Sequence, residues 1–485
     1  MKKYSEETSN EKTSRTGASI SVRSFVTVLI VLVTAIIVCG ALSYVIPQGA
    51  YERTEEGSIV VDSFKIGQVD GIALWRVITA PLRVFASEDA LNIIMISVFL
   101  LVMSGVFNLL EKTGGIRIII ARLIGRIGNR APAVICVTVL VFMLFGSFFG
   151  MFEELVTLLP IVILFMLSLG MDTMLGLGAC MLAACFGFSA AITNPFSVGL
   201  ASQISGQAIS DGIWLRVVFF VLTYALLCGF LLLYYRRIKR NPQASLTYKL
   251  DGERRELMQD AQPLPSERSE SFTFKVFLAF FGVQLVILVL IAAVDAIAAL
   301  AIPLLAVSFL VTGTVAGLLV CKRKRDVAFT LLRGMCSMLP AVVMIALASS
   351  VKLVMTESGI MDTIMHYCIG LLEGKSPFLA IILIYLLILI LQVFIGSASA
   401  KIILVMPIVM PIATTIGLSP SLVILAYCMA DGFTDVILPT NPVLIVGLSM
   451  ANVSYGKWVK WTWKLQAIVL ALTALVLFFG IAIGY

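Results

Sequence analysis

The chain has 485 residues, of which 60% are hydrophobic and only 13% are charged, with a formal net charge of +7 and a mean hydropathy of +1.04. Soluble proteins carry about 25% charged residues, so this composition excludes a water-soluble single-domain enzyme, a disordered chain and a collagen-like chain. The basic residues are dispersed among loops rather than gathered in one patch, which argues against nucleic-acid binding.

Long apolar runs predict membrane-spanning helices, because a crossing helix needs about 20 apolar residues. After a polar cytoplasmic tail at residues 1–24, the clear candidates are 25–46, 90–110, 214–235, 274–297, 299–320, 336–355 and 463–483. Residues 173–205 and 419–452 are each interrupted by Asn-Pro and predict broken helices. Residues 132–170 and 377–417 are apolar but turn back at their middles, which predicts re-entrant hairpins.

The distribution of positive charge predicts the orientation. With a cytoplasmic N-terminus and both turning regions treated as hairpins, 27 of the 35 lysines and arginines fall inside and six fall outside. This bias obeys the positive-inside rule, and it would weaken if either turning region crossed the bilayer. We therefore expect a multi-pass protein of the inner cell membrane, surrounded by lipid, with a cytoplasmic N-terminus and an external C-terminus.

An internal repeat divides the chain into two halves. At an offset of 247 residues, Pro160 matches Pro407, Gly170 matches Gly417, and the triplet 193–195 matches 440–442. The expected fold is an all-α polytopic membrane protein with inverted repeats at 25–235 and 273–485, joined by a polar cytoplasmic linker at 236–272. Paired broken segments in two inverted halves indicate a secondary transporter whose substrate site lies at the breaks.

The breaks supply the first candidate site residues. An Asn or Thr side chain can cap exposed amides and a following proline suits the first helical position, so each triplet is expected to start a half-helix. Such N-termini favour a substrate carboxylate, and the carbonyls freed before them suit a cation. A proline kink in a structural helix is the alternative. The candidates are Thr193, Asn194, Pro195, Thr440, Asn441 and Pro442.

Charged residues at membrane depth supply the remaining candidates, since such charges are costly and mark function by default. Glu153 and Glu154 follow the tip of the first hairpin, and the second tip carries Ser397, Ser399 and Lys401. Helix capping is the alternative role for the two glutamates.

Two aspartates precede the second break. Asp431 and Asp435 lie four residues apart, which would place them on one helix face. They are candidates for contact with a cation, a proton or a substrate amine, and a polar face toward a water-filled vestibule is the alternative.

No cofactor is expected, because the chain contains no nucleotide-binding motif and transport must draw on a gradient, with protons or sodium as possible coupling ions. The single histidine, His366, excludes a histidine-rich metal site and is expected near the outer surface. No metal ligands are predicted.

Four motifs resemble one known family. The residues 46–53 (IPQGAYER), 150–154 (GMFEE), 194–196 (NPF) and 438–442 (LPTNP) are similar to those of the anaerobic four-carbon-dicarboxylate carriers, and more closely to a branch of candidate basic amino acid antiporters. The resemblance implies a fold of the ion transporter superfamily, with paired re-entrant hairpins, broken helices, elevator movement and often a homodimer. That superfamily often has Ser-Asn-Thr motifs at the hairpin tips, whereas the first tip here carries Glu153 and Glu154.

The expected function is secondary transport of small carboxylate-bearing metabolites. The acidic excess at the candidate site favours an antiporter of basic amino acids of the arginine and ornithine type. A proton- or sodium-coupled carrier of four-carbon dicarboxylates or short peptides is the alternative. A membrane-embedded enzyme would need a base at membrane depth, where no histidine is found, and saturable counter-substrate flux would exclude a channel.

Overall fold

The computed structural model describes residues 22–52, 63–87, 90–115, 118, 131–152, 155–260, 269–293, 301–372 and 374–485. In this part of the chain, eight helical segments are long and apolar enough to cross a membrane. Regular structure other than helix amounts here to a two-stranded antiparallel sheet, β1 (Gly49–Ala50) with β2 (Lys65–Ile66). The prediction of an all-α polytopic membrane protein is therefore confirmed, while most of the tail 1–24 lies outside the described residues.

The described helices of the first half are α1 (Val22–Leu42), α2 (Leu74–Arg83), α3 (Ala90–Lys112), α4 (Ala131–Phe149), α5 (Leu159–Ser168), α6 (Thr173–Ala190), α7 (Leu200–Ser205) and α8 (Ile213–Arg240). Short 3-10 turns follow α2 (Val84–Ala86) and precede α5 (Leu155–Leu158). Wider π-helical turns lie within α6 (Gly178–Leu182) and before α7 (Pro195–Gly199).

The linker and the second half continue with α9 (Tyr248–Asp260), α10 (Glu270–Ala293), α11 (Ala301–Val320), α12 (Lys324–Ser337), α13 (Leu339–Glu357), α14 (Ile360–Gly370), α15 (Pro377–Gln392), α16 (Ala398–Thr415), α17 (Pro420–Asp431), α18 (Pro442–Ala451) and α19 (Tyr455–Ala482). A 3-10 turn (Pro242–Ala244) precedes α9 and another (Phe433–Val436) follows α17.

Helix α6 lies at the centre of the protein. All residues of this helix are buried, and α4 packs closely against its C-terminal half. Glycines allow this approach, because a Cβ on Gly187 would overlap the Met143 carbonyl and one on Gly146 would overlap that of Ala184. Small residues commonly permit such close helix packing within membranes, where lipid supplies no hydrophobic driving force between helices.

Both predicted helix breaks are present. Helix α6 ends at Ala190, and Ala191 adopts the left-handed conformation (φ 44°) that turns the chain away from the helix axis. In the second half, α17 ends at Asp431 and the helical chain resumes at Pro442, the first residue of α18. Proline at a first helical position loses no hydrogen bond, since its N–H would be unsatisfied there anyway.

Helices α8 and α19 run antiparallel and define two opposite ends of the molecule. At one end, the rings of Tyr234 and Trp461 meet with centroids 5.2 Å apart. At the other end, the hydroxyl of Tyr485 donates to the carbonyl of Gly212.

The two predicted hairpins are based at these opposite ends. Both ends of the α15–α16 hairpin lie at the C-terminal end of α19, where Phe378 contacts Phe478 and Ser419 donates to the carbonyl of Tyr485. Helix α5 of the first hairpin ends near the opposite end of the molecule, at the C-terminal end of α8. There the hydroxyl of Tyr234 donates to Asp172 at 2.7 Å. The inverted repeat and the depth of the hairpins in a bilayer stay predictions.

Each half-helix packs against the returning hairpin arm of the other half. The π-helical turn Pro195–Gly199 and α7 lie against α16, while α18 lies against α5 and the preceding turn Leu155–Leu158. Each half therefore supplies part of the surface on which the break of the other half rests.

Residues 236–260 of the predicted linker are mostly helical and pack against the rest of the protein. Arg236–Arg240 extends α8, and helix α9 docks onto the start of α6. The hydroxyl of Thr173 donates to Asp251 at 2.5 Å and accepts from Arg254 at 2.9 Å. Because Arg254 also reaches the carbonyl of Met450 at 3.4 Å, the linker contacts both halves.

The loop after α1 docks onto α14 of the second half. The backbone N–H of Tyr51 donates to Asp362 at 3.1 Å, and the hydroxyl of Thr363 donates to the carbonyl of Pro47 at 2.8 Å. Phe64 stacks on the exposed ring of His366 with centroids 3.9 Å apart.

Candidate functional site

The second hairpin and the second broken helix meet in a buried ion pair. The ammonium of Lys401, in the first turn of α16, donates to Oδ1 of Asp431, the last residue of α17. Their side chains are 0% and 1% exposed. Taking two charges out of water costs several kcal/mol per ion, which only close pairing offsets. The pair therefore fixes the hairpin against the helix end.

Asp435 lies beyond the end of α17, in the 3-10 turn Phe433–Val436. The expectation that Asp431 and Asp435 share one continuous helical face is therefore wrong, because the helix ends between them. Asp435 Oδ1 accepts a hydrogen bond from Nδ2 of Asn441 at 2.8 Å and another from Nε2 of Gln392 at the end of α15. Two side-chain amides thus hold this carboxylate between the hairpin and the break.

Asn441 starts the half-helix α18, as predicted. Its Oδ1 accepts from the backbone N–H groups of Val443 at 2.9 Å and Leu444 at 3.4 Å, and Pro442 takes the first helical position. Such a cap stabilises a helix by about 1 kcal/mol. Because the same amide donates to Asp435, one side chain couples the helix start to the carboxylate.

The tip of the first hairpin is hydrogen-bonded to the first break. The backbone N–H of Ile192 donates to the hydroxyl of Ser147 at 3.0 Å, and that of Thr193 donates to the Ser147 carbonyl at 3.2 Å. The hydroxyl of Thr193 donates to the carbonyl of Phe148 at 3.1 Å. These three bonds close the break against residues 147–148.

Asn194 is fully buried beside the same tip. Its Oδ1 accepts from the N–H of Phe196 at 2.9 Å, so it caps the turn that begins at Pro195. That turn is π-helical and α7 begins only at Leu200, so the predicted half-helix starts with a wider turn than expected. Gly150 (φ 66°) lies directly against Asn194, because a Cβ there would overlap Asn194 Oδ1.

The second hairpin tip is held from α17. Ser397 caps α16 by accepting from the N–H of Ala400 at 3.4 Å, and its side chain is exposed, while Ser399 is half-buried. The hydroxyl of the fully buried Tyr427 donates to the carbonyl of Ala398 at 2.7 Å. The tip backbone is thereby fixed next to Lys401.

The two halves touch beside the ion pair. The hydroxyl of Ser189, near the end of α6, donates to the carbonyl of Met429 in α17 at 3.2 Å. Gly432 follows Asp431 immediately, and a Cβ there would overlap the backbone of Ser189. The ends of the two broken helices therefore meet at this point, next to Asp431.

Arg216, which the charge count placed on the outer side, is instead buried in α8 and only 2% exposed. Its guanidinium donates to four carbonyls, those of Ala191 at 3.3 Å, Ile192 at 3.0 Å, Asp211 at 2.9 Å and Ile209. The carbonyls freed at the first break are thus occupied by a cation of the protein itself.

Several polar atoms at the site are buried and have no hydrogen-bond partner within the described residues. They are Nδ2 of Asn194, Oδ2 of Asp431, Oε1 of Gln392 and Oγ1 of Thr440. Leaving such a group unpaired costs about 1–3 kcal/mol. Nδ2 of Asn194 is a donor near the first break, and Oδ2 of Asp431 and Oε1 of Gln392 are acceptors near the second. These atoms suit a ligand that has an acceptor group at one end and a cationic donor at the other.

Two predicted residues, Glu153 and Glu154, lie outside the described residues. In the part of the chain that the structure describes, no group of three or more His, Cys, Asp or Glu residues could hold a metal ion.

Sequence reasoning missed Arg216, Gln392 and Ser189 as parts of this region. Gln392 offered a signal, since it is a polar residue inside a long apolar run just before a hairpin tip. Ser189 offered little, because small hydroxyl residues are common inside membrane helices.

Comparisons with known proteins identify the family of this chain. The family model described as DcuC, the C4-dicarboxylate anaerobic carrier, matches residues 24–482. An uncharacterized protein of Haemophilus influenzae is 27% identical over 395 residues, covering 80% of this chain and 76% of that protein. YfcC of Escherichia coli, named as a candidate basic amino acid antiporter, is 26% identical over 407 residues, covering 82% and 78%.

Two solved transporter structures are also similar over nearly the whole chain. The YdaH transporter of Alcanivorax borkumensis has a TM-score of 0.41 at 18% identity, covering 95% of this chain and 98% of its own. MtrF of Neisseria gonorrhoeae, from a class of antimetabolite efflux pumps, has a TM-score of 0.40 at 16% identity, covering 94% of each chain. Since the family match covers residues 24–482, nearly the whole chain, this chain belongs to the C4-dicarboxylate anaerobic carrier family and is a multi-pass membrane transporter.

Proposed function

We propose that this transporter is a secondary antiporter that exchanges basic amino acids across the inner cell membrane. The observation that carries the proposal is the position of Lys401, whose primary ammonium lies fully buried against Asp431. The protein therefore already accommodates, at the meeting point of its hairpin and its break, the functional group that a lysine or ornithine substrate would present.

Neighbouring atoms support binding of the substrate side chain. Oδ2 of Asp431 and Oε1 of Gln392 are buried acceptors with no partner among the described residues. Asp435, held by amides, adds negative charge on the same side. A substrate ammonium or guanidinium placed beside these oxygens would satisfy acceptors that are otherwise unpaired, and hydrogen bonds to charged groups are worth about 1.5–3 kcal/mol.

The first break supports binding of the substrate carboxylate. Nδ2 of Asn194 is a buried donor with no partner among the described residues, and it lies at the start of the Pro195–Gly199 turn. Backbone N–H groups at the start of a helical segment attract anions. An amino acid with a cationic side chain would thus find complementary groups on both halves.

A dicarboxylate finds less support among the described groups. The donors at the first break could take one of its carboxylates, but the second would lie beside Asp431 and Asp435, where it would need a cationic partner. The two described cations beside the breaks already have partners, Lys401 with Asp431 and Arg216 with four carbonyls. The name of the relative YfcC points in the same direction as this charge argument.

The test is counterflow in proteoliposomes loaded with unlabelled lysine, ornithine, norleucine or succinate and supplied outside with labelled arginine. We expect internal lysine and ornithine to accelerate arginine uptake. Norleucine, which has the carbon chain of lysine without its ammonium, should not do so. Arginine uptake that is insensitive to internal lysine, together with succinate exchange in the same vesicles, would replace this proposal with dicarboxylate transport.

Variants locate the exchange at the proposed site. D431N should abolish lysine–arginine exchange, because the amide cannot pair with a cation as the carboxylate does. D70N is the matched control, since Asp70 is an exposed carboxylate in the loop before α2. Equal exchange in D431N and D70N would remove Asp431 from the site.

The proposed orientation places the N-terminus and α9 in the cytoplasm and Tyr485 outside. It rests on the charge bias, with 27 of 35 basic residues on the proposed inner side. A cysteine-accessibility assay checks it, because a cysteine introduced at exposed Glu253 should react only with membrane-permeant reagents in intact cells.

A further inference from the structure

Four backbone carbonyls converge on the guanidinium of Arg216. Two of them, from Ala191 and Ile192, belong to the first break, and two, from Ile209 and Asp211, belong to the loop before α8. We refer to these four carbonyls as the carbonyl cage. A converging set of carbonyls freed by a broken helix is the kind of site that coordinates a cation in secondary transporters.

The second break uses different chemistry at the corresponding place. There α19, the counterpart of α8, supplies neutral donors. The hydroxyl of Tyr455 donates to the carbonyl of Ile437 at 2.6 Å, and the indole N–H of Trp458 donates to that of Val436 at 2.5 Å. The carbonyls at the second break are thus satisfied by neutral donors of α19, whereas those at the first break are satisfied by a charged side chain of α8. A positive charge is therefore not required merely to satisfy such carbonyls.

We propose that Arg216 is a built-in cation that occupies the carbonyl cage in place of a coupling ion, so that the first break is held in its working geometry without sodium. A second cation entering the cage would meet a like charge at a few ångströms in a poorly polarisable interior, where repulsion is strong. Because Arg216 is part of the chain and cannot dissociate, the cage keeps its cation throughout the cycle. Arg216 thus acts as a positioning residue for Thr193 and Asn194.

The first experiment measures the melting temperature of purified protein and needs no substrate. R216A empties the cage, and millimolar guanidinium chloride should raise its melting temperature by several degrees. Urea, which is similar in shape but uncharged, should not. F219A is the control, because Phe219 is also fully buried in α8 and its removal leaves an apolar cavity that guanidinium should not stabilise. Equal effects of urea and guanidinium on R216A would overturn the proposal.

The second experiment measures ion dependence. Wild-type protein should melt at the same temperature in sodium chloride and choline chloride, and its substrate uptake should be unchanged when choline replaces sodium. Uptake by R216A should fall roughly tenfold or more and recover partly with guanidinium, whereas R216K should retain more uptake than R216A. Wild-type uptake that requires sodium would overturn the proposal even if R216A failed to fold.

Discussion

The ammonium of Lys401 and the carboxylate of Asp431 form an ion pair in which both side chains are buried from solvent. Removing one partner would leave the other charge buried and uncompensated, at a cost of about 3–5 kcal/mol, whereas replacing both by apolar residues is often neutral. We predict that K401M and D431L each lower the melting temperature strongly, and that the double variant K401M/D431L recovers most of the loss.

The same three variants separate stability from transport. Thermal melts should show recovery in the double variant, while counterflow should remain absent in all three because the carboxylate is missing or its surroundings have changed. A double variant no more stable than either single one would mean that the two charges are not energetically coupled.

Gly150 should be much less tolerant of substitution than Gly170. Both have positive φ, 66° and 78°, so alanine at either position incurs a conformational penalty of about 1–2 kcal/mol. Only at Gly150 would the new Cβ also overlap Asn194, whereas nothing lies within 4 Å at Gly170. G150A should therefore lose transport and G170A should keep most of it, as measured by counterflow at matched expression. Equal transport by the two variants would contradict the contact between the hairpin tip and the break.

Asn441 should matter for more than helix capping. N441A removes a cap worth about 1 kcal/mol and also the amide that donates to Asp435. S419A is the matched variant, because Ser419 caps α17 by accepting from Leu422 at 3.2 Å and lies away from the carboxylates. Both variants should lower the melting temperature, and only N441A should raise the substrate concentration needed for half-maximal exchange. If S419A raises this concentration as much as N441A does, Asn441 has no role beyond helix capping.

The linker helix α9 should contribute measurably to stability. Asp251 accepts hydrogen bonds from Thr173 and Thr247, whereas Glu253, two residues later, is exposed. D251A should lose about 2 kcal/mol or more, since each buried hydrogen bond to a charged group contributes about 1.5–3 kcal/mol. E253A should stay within about 0.5 kcal/mol of wild type. Denaturation melts and the rate of trypsin cleavage in the linker would measure both, and identical behaviour of the two variants would argue against docking of α9.

Asp172 should make stability depend on pH in the acidic range. Burial raises the pKa of its carboxyl above the ordinary value of 3.8, although hydrogen bonds from Tyr234, Leu175 N–H and Ser245 act in the opposite direction. Because the folded state then binds the proton more tightly than the unfolded state, this contribution is fully present below pH 3.8 and is lost as pH rises through the raised pKa.

The comparison of wild type with D172N isolates that contribution from those of other carboxylates. The stability of wild type relative to D172N should fall as the pH is raised from 3.8, and melting temperatures over this range would measure it. A difference between the two proteins that does not change with pH would show that Asp172 does not titrate in this way.

Local sequence was enough to find the breaks and the residues around them. Asn-Pro carries its own physical signal, since the cap and the proline act within one turn, and both triplets do interrupt helices. Lys401, Asp431 and Asp435 were found because charge is rare in apolar runs. Their partners were not predicted, because the ion pair joins positions 30 residues apart and depends on how the hairpin packs against α17.

Two features needed the three-dimensional structure. Arg216 stands at the start of an apolar run and so counted as a charge outside the membrane, whereas folding brings four carbonyls from two segments around it. The linker was recognised by its polarity and prolines, but docking of α9 depends on hydrogen bonds to residues more than 70 positions away, such as Thr173 and Met450.

The packing of each half-helix on the hairpin of the other half has a consequence for biosynthesis. The segment that ends with α7 at Ser205 rests on α16, which begins only at Ala398. At about 5–20 residues per second, the ribosome would need roughly 10–40 seconds to make the intervening chain. During that interval the newly inserted first half would hold its polar Thr-Asn-Pro turn without its final neighbour, so this turn reaches its final packing only after α16 has been made.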